Sequence, residues 1–438
     1  MKDKVLLLGA GLVSKPLVTY LLKNNFKVTV ASRTLEKAEA LIEGHPNGKA
    51  LRWVVEEEDK LKELVKENDI AISLLPYIYH LKVAKVCLEF NKHLVTTSYV
   101  KPDMKALDKE AKEKGLLFLN EVGLDPGIDH MSAMKLIHDI ENKGGKVVSF
   151  ESFCGALPAP EAADNPLKYK FSWSPRGVLL AGRNSAKYLK NGKLVEIAPE
   201  NLFDDHHPLE VEGVGQMEYY PNRDSVSYIE LYNLQGIETM FRGTIRFPGW
   251  SELWSVISKL NWLSLDEKET DGKSYAELTA ELSGLNAGTL KDDIVKKFNI
   301  SNKPQIIEKM EWMGLLSDEK INKGKIAPID VLTDLLLGKM YYKKGERDMV
   351  ILLHKIIGDF GGKKKLYTSL MVEFGVEGEE TSVARTVALP AAIATKMILE
   401  DKIKTTGVHI PVIPSIYEPI LEELENIGIK FKEEIKDI

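Results

Sequence analysis

Val5-Leu6-Leu7-Leu8-Gly9-Ala10-Gly11-Leu12-Val13-Ser14 decides the fold of this chain. Residues 5–8 are a short apolar run, as a strand buried on both faces shows, and residues 13–23 carry helical periodicity. Between them the first glycine permits a tight turn, and the second lets backbone approach a pyrophosphate. The N-terminus of the helix then faces that phosphate with N–H groups that have no helical acceptor. Ser14 stands where a third glycine is usual. It is small enough for close helix–strand packing, and its hydroxyl offers one more phosphate donor. A GxG pair alone says little. At the end of the first strand it implies dinucleotide binding by Gly9, Gly11, Leu12, Val13 and Ser14.

Strand-like runs follow at 27–31, 50–54, 70–75, 93–97 and 116–120, separated by helical patterns at 35–42, 60–66, 80–90 and 104–114. This alternation predicts an α/β chain with a Rossmann-type doubly wound parallel sheet and a crevice at the strands' carboxyl ends. Where an NAD-binding chain usually has an acid, the second strand ends Val30-Ala31-Ser32-Arg33-Thr34. Arg33 can pair with a 2′-phosphate, and Ser32 and Thr34 can donate hydrogen bonds, so the cofactor reading is NADP(H). Leu75 and Pro76, in Leu74-Leu75-Pro76-Tyr77, and the run Thr97-Ser98-Tyr99-Val100 should face the nicotinamide half. For Tyr77, packing and function are equally good readings.

At 438 residues the chain is too long for one core, and two or three domains are expected. We read 1–124 as the Rossmann domain, 125–249 with 346–390 as a mixed α/β substrate domain, and 250–345 as a helical insertion. In that insertion Leu253, Trp254, Ile257 and Leu260 form one apolar stripe, and Ile294, Val295 and Phe298 part of another. Strands are expected at 146–154, 227–231 and 243–247. The C-terminal part, about 391–438, is expected to pack back on the first domain. A net charge of −6 gives no bulk reason to bind nucleic acid or an anionic membrane. The strand starting at Val5 leaves no room for a signal peptide, and no run of about 18 apolar residues predicts a membrane span. Two cysteines, Cys87 and Cys154, make no disulfide framework, which fits a reducing cytoplasm. Cys87 lies in a helical pattern and reads as core. Asp204-Asp205-His206-His207 is a solvated loop rather than a metal site, because adjacent side chains rarely converge on one ion. No metal is expected.

The densest cluster of special residues is Asn120-Glu121-Val122-Gly123-Leu124-Asp125-Pro126-Gly127-Ile128-Asp129-His130, where the last Rossmann strand gives way to the next domain. Domain junctions favour active sites. Asp125-Pro126-Gly127 is also a good turn, and Asp129 and His130 can simply cap the next helix.

Taken together, GAGLVS, SLLPY, TTSYV, NEVGLDPGIDH, FCGALPAPEAADNPLKYKFSWSPRG and YPNRDS resemble the saccharopine reductase family, the NADP⁺, L-glutamate-forming saccharopine dehydrogenases. The resemblance runs in order across 5–250 and resumes near 347–355 and 384–419. It implies a Rossmann domain, a mixed α/β domain and a mostly helical domain. It also implies a reaction in which 2-aminoadipate 6-semialdehyde and L-glutamate condense to an imine that NADPH reduces to saccharopine. Tyr99, Asp125 and Cys154 match positions the family gives to the substrate site, and these three are the catalytic and substrate-binding candidates. Saccharopine carries three carboxylates, so its pocket needs fixed cations, and Arg223 and Arg242 are the candidates for bidentate binding. Lys170, Trp173 and Arg176 lie in the matched KYKFSWSPRG run as secondary pocket candidates. No single general base is assigned, and Cys154 needs no covalent role in imine chemistry. Other readings keep the fold: imine reduction on another amine pair, as in carboxynorspermidine formation, or a silent NADP(H)-binding regulator. The partners expected are small molecules, without nucleic acid or membrane, and a homodimer is the expected assembly.

Overall fold

In the computed structural model, which describes residues 3–378 and 380–438, β1 (Lys4–Leu8) is fully buried from Val5 onward. There follow α1 (Ser14–Lys23), β2 (Lys27–Ser32), α2 (Leu35–Ile42), β3 (Gly48–Arg52), α3 (Glu58–Glu67), β4 (Ile70–Ser73), α4 (His80–Glu89) and β5 (His93–Thr96). Then come α5 (Pro102–Lys105), α6 (Asp108–Glu113), β6 (Leu117–Leu119) and α7 (Ile128–Asn142). The strands pair in parallel in the order β6-β5-β4-β1-β2-β3. Strand order reverses between β1 and β4, which opens the crevice expected for a dinucleotide. The doubly wound sheet read from the sequence is therefore the one observed. The helix expected over 104–114 is instead two short ones, α5 and α6, broken at Ala106 and Leu107.

A further parallel strand, Gly407–His409, adds to β6 in register with Leu117–Leu119. Three residues are too few for periodicity to reveal. Gly407 has φ +109°, and a Cβ there would lie 2.5 Å from Asp108 Oδ1, the atom that accepts the Val408 N–H at 2.9 Å.

The chain forms two compact units. The first comprises the described residues up to Val147 together with Leu352–Ile438, and the second is Val148–Ile351. They part elsewhere than the sequence boundaries at 124/125, 249/250 and 345/346. In the first unit the helix Ser382–Leu399 packs along α1, and Pro414–Asn426 packs on that helix and on α7. Tyr20 Oη donates to Glu423 Oε1 at 2.6 Å, and His138 Nδ1 lies 2.8 Å from Tyr417 Oη. Ser382–Leu399 has the length and hydropathy of a membrane span, although Arg385 and Lys396 interrupt its apolar run. Its most apolar stretch is 78% buried inside the protein, as a core helix is.

Two long strands carry the chain between the units, β7 (Lys146–Pro158) and Asp348–Asp359. In the second unit follow α8 (Pro175–Ala181), β8 (Ala186–Lys190), β9 (Lys193–Ile197), β10 (His207–Val211), β11 (Gly215–Pro221), α9 (Ser227–Leu231), β12 (Thr239–Arg246) and α10 (Trp250–Lys259). The order β10-β11-β12-β7 is antiparallel except for the parallel β12–β7 pair. Strands were expected at 146–154 and 243–247, where β7 and β12 lie. The third, 227–231, is the helix α9. Asp224 Oδ1 accepts the Val226 and Ser227 N–H groups at 2.8 and 3.2 Å, which turns the chain into a helix. Beyond α10, whose Leu253, Trp254 and Ile257 are buried, the unit is mainly helical, with helices at Tyr275–Ser283, Leu290–Lys297, Pro304–Met313 and Pro328–Leu337.

Candidate active site

The loop between β1 and α1 shows why its residues are as they are. Gly9 has φ +110°, and a Cβ there would sit 3.0 Å from the Leu74 carbonyl oxygen, so only glycine fits between this turn and the end of β4. Nothing lies within 4 Å of a Cβ at Gly11, and Leu12 is 73% exposed, so the loop's outer side is open. Ser14 is fully buried. Its Oγ accepts the Gly11 N–H at 3.0 Å and donates to Gly9 O at 3.4 Å. The hydroxyl therefore holds the glycine loop in shape, which corrects the alternative that it reaches outward to a phosphate. At the end of β2, Ser32 is buried and its Oγ accepts the Thr34 N–H at 3.3 Å. Arg33 is exposed beside them and pairs with no carboxylate among the described residues. A rigid loop at a helix N-terminus and an uncommitted guanidinium one strand away fit a dinucleotide with a 2′-phosphate.

At the carboxyl ends of β5 and β6 the first unit brings Tyr99 and Asp125 together: Tyr99 Oη donates to Asp125 Oδ1 at 3.2 Å. The backbone on either side of Tyr99 is held independently. Glu121, buried and at φ +59°, accepts the Val100 N–H on Oε1 at 2.8 Å, while its Oε2 lies 2.8 Å from His130 Nε2. The Glu121 N–H in turn donates to Ser98 O at 3.2 Å. The Asp125 turn is built as tightly. A Cβ at Gly127 would lie 2.1 Å from Gly123 O, and Asp129 Oδ1 accepts the Gly127 N–H at 2.6 Å. Asp129 and His130 thus brace the turn and the Tyr99 loop rather than capping α7. Tyr99 also lines a cavity of about 510 Å³ with Tyr77, His80, Lys101 and Asn120. Tyr77 is 61% exposed there, its ring 5.3 Å from the Lys101 ammonium.

The remaining candidates lie in the second unit. Cys154 on β7 pairs in register with Thr244 on β12, two residues beyond the Ser152–Arg242 pair, so Cys154 and Arg242 share one sheet face. Arg242 is only 3% exposed, and its guanidinium carbon lies 4.2 Å from the centroid of the Tyr228 ring. Arg223 is exposed, at φ +53°, in the turn after β11, where its carbonyl accepts the Lys187 N–H at 2.9 Å. Of the two arginines read as carboxylate binders, one is thus packed in the interior and one presented at the surface. Two secondary candidates are committed elsewhere. Buried Lys170 pairs with Asp164 at 2.8 Å and Glu346 at 2.6 Å, and Arg176 pairs with Asp330 at 2.6 Å. His206 and His207 are engaged by Phe203 O at 2.8 Å and Asp205 at 2.9 Å. Among the described residues no group of three His, Cys, Asp or Glu side chains is placed to hold a metal ion.

With this geometry in view, comparison with known proteins decides the family. A family model described as the saccharopine dehydrogenase NADP binding domain matches residues 5–119, and one described as the saccharopine dehydrogenase C-terminal domain matches 123–429. The chain belongs to the saccharopine dehydrogenase family. A family member from Schizosaccharomyces pombe, saccharopine dehydrogenase [NADP(+), L-glutamate-forming], is 40% identical over 450 residues, covering 99% of each chain. The mitochondrial alpha-aminoadipic semialdehyde synthase of Bos taurus is 36% identical over 442 residues, covering 98% of this chain and 47% of that protein. The solved apo saccharopine dehydrogenase (L-Glu forming) of Saccharomyces cerevisiae superposes with a TM-score of 0.90 at 39% identity, over 99% of this chain and 100% of that one. The Gly9 loop and Arg33 therefore lie in the saccharopine dehydrogenase family's NADP-binding domain.

Two residues of the Tyr99 neighbourhood escaped the sequence reading. His80 looked like the first residue of a helix and Glu121 like part of a turn. Both are nearly inaccessible, and His80 makes its contacts to side chains 7 to 18 positions away. Only the polar residues Glu121 and His130 beside an apolar strand hinted that polar groups there have partners.

Proposed function

We propose that the protein is an NADP(H)-dependent, L-glutamate-forming saccharopine oxidoreductase of lysine metabolism. It interconverts saccharopine with L-glutamate and 2-aminoadipate 6-semialdehyde through an imine. The observation that carries this reading is the Tyr99–Asp125 hydrogen bond, fixed at the carboxyl end of a sheet whose first loop fits the cofactor. When bound, NADP⁺ supplies the hydride acceptor, and NADPH the hydride donor in the opposite direction.

The chain's own residues do the rest. The amides at the start of α1 face the pyrophosphate, Arg33 pairs with the 2′-phosphate, and Leu75 and Pro76 bound the nicotinamide side. Asp125, half-buried and oriented by Tyr99, binds the substrate's secondary ammonium and takes its proton as the carbon–nitrogen bond becomes an imine. Water then adds to the imine carbon. The carbinolamine loses its proton, the carbon–nitrogen bond breaks, and nitrogen is protonated as L-glutamate leaves. Tyr99 orients the groups on the reacting carbon, and in the second unit Cys154 and Arg223 are proposed as substrate contacts, Arg223 for a carboxylate. Because the steps reverse, the same groups serve synthesis of saccharopine.

The deciding experiment mixes purified protein with saccharopine and NADP⁺, then with NAD⁺, and follows absorbance of the reduced cofactor. Turnover with NADP⁺ is expected. No turnover with either, despite NADPH binding, overturns the enzyme reading. We also place the protein in a reducing cytoplasm as a homodimer, readings supported by two free cysteines and by chain size. Cell fractionation and light scattering test them.

A further inference from the structure

His80 lies at the start of α4, 5% exposed, between the ends of β4 and β5. Its Nδ1 is 2.8 Å from Ser73 Oγ, the last residue of β4. Its Nε2 is 2.8 Å from Ser98 Oγ and 3.2 Å from Thr96 Oγ1. One ring therefore ties the strand end that leads into Leu74-Leu75-Pro76 to the loop that carries Tyr99. It reaches Ser98, the residue before Tyr99. Glu121 holds Val100, the residue after it. Ser98 is fastened by two further bonds, its N–H to Thr96 Oγ1 at 3.4 Å and its carbonyl to the Glu121 N–H at 3.2 Å.

We infer that His80 is a positioning residue for the saccharopine reaction, fixing through Ser98 the loop that aims Tyr99 at Asp125. The inference rests on Tyr99 serving the substrate site as read above. The geometry has a specific chemical requirement. A hydrogen-bonding group is needed where Nε2 stands, facing Ser98, whereas the Nδ1 contact to Ser73 ties only β4. A merely space-filling histidine has no such asymmetry. Burial also keeps the ring neutral, its pKa pushed down to about 4, so the clamp does not change charge at neutral pH.

Glutamine and asparagine separate the two nitrogens. The Gln amide nitrogen reaches the Nε2 position, while the shorter Asn amide reaches only the Nδ1 position. His80→Gln should therefore keep kcat for saccharopine within about threefold of the unaltered enzyme, and His80→Asn and His80→Leu should lose about tenfold or more. The NADPH dissociation constant, read by fluorescence titration, should stay within about twofold in all three, because the Gly9 loop and Arg33 are untouched. Ser98→Ala removes the hydroxyl partner without entering the buried ring, so it guards against a His80 variant that fails to fold. It should match His80→Asn, and adding His80→Leu to it should cost little more. Equal behaviour of Gln and Asn, an unaltered Ser98→Ala enzyme, or losses that follow only the folded fraction would each overturn the inference. Hydrogen exchange over 97–101 gives a reading that does not depend on turnover. His80→Asn and Ser98→Ala should speed it about fivefold or more, leaving 128–142 unchanged. If the unaltered protein fails to oxidise saccharopine yet exchange responds, the reaction assignment falls and the clamp stands. If exchange does not respond, the clamp falls whatever the activity.

Discussion

Tyr99 and Asp125 meet through one hydrogen bond of 3.2 Å although they come from loops 26 residues apart. The phenol donates and the carboxylate accepts, so the bond fixes the orientation of the Asp125 carboxylate. Each partner is held from behind, Tyr99 by the contacts of Ser98 and Val100, Asp125 by the Gly123–Gly127 turn. Such preorganisation confines the loss from a small change to the chemical step.

Tyr99→Phe removes the donor and keeps the ring. The expected result is a fall in kcat/KM for saccharopine of about ten- to thirtyfold, in line with the loss of one charge-assisted hydrogen bond. NADPH affinity should stay within about twofold. Steady-state kinetics with a fluorescence titration of NADPH check both, and an equal loss in both would move Tyr99 from substrate to cofactor.

Arg33 is exposed and, among the described residues, tied to no carboxylate, so its guanidinium is available at the end of β2. Arg33→Ala should raise KM for NADP⁺ by about ten- to a hundredfold, the worth of a lost charge-assisted contact to phosphate. KM for NAD⁺, which lacks that phosphate, should change little. Measuring both constants gives the cofactor preference directly, and an equal rise in both would remove Arg33 as the discriminating residue.

Arg223 and Arg242 looked alike in the sequence and should now part. Arg223→Ala should raise KM for saccharopine about tenfold or more with little change in Tm, because it removes an exposed cation. Arg242→Ala should lower Tm, because the side chain is buried against Tyr228 and truncation leaves a cavity of its length. Thermal melts with saccharopine titrations separate the two. A Tm unchanged in Arg242→Ala would contradict the packing role.

What the sequence made legible follows a physical line. Residues acting through local geometry were readable: Gly9, whose turn needs a positive φ, and the Asp125-Pro126-Gly127 turn. The parallel sheet was readable because each buried strand repeats one apolar signature. What it hid depends on partners far along the chain. The Gly407–His409 strand has only three residues and finds β6 across the sequence. His80 finds Ser98, and Lys170 finds Glu346, by folding alone. Ser227–Leu231 read as a strand because its apolar positions suit one. The bonds from Asp224 that make it a helix begin outside the segment.

The last prediction concerns acid. His80 has its pKa lowered from 6.5 to about 4 because burial disfavours the imidazolium. In the unfolded chain the ring protonates as pH falls through about 6.5, whereas in the folded protein it stays neutral until about 4. The unfolded state therefore binds more protons in that window. The stability contributed by the neutral ring is complete above about pH 6.5, erodes on the way down to about 4, and changes no further below it. Its full size is on the order of 3 kcal/mol. Glutamine at this position carries no proton to gain. On lowering the pH from 7 to 4.5, the Tm of the unaltered protein should fall faster than that of His80→Gln. Any advantage it holds at neutral pH should shrink steadily through the window. Carboxylates such as Asp164, whose pKa is held down to about 2 by hydrogen bonds from Lys170 and Lys343, act equally in both proteins and cancel in the difference. Thermal melts of the two proteins at half-unit pH steps give the comparison directly. Parallel curves across the window would mean that the folded protein lets this ring take its proton as readily as the unfolded chain does.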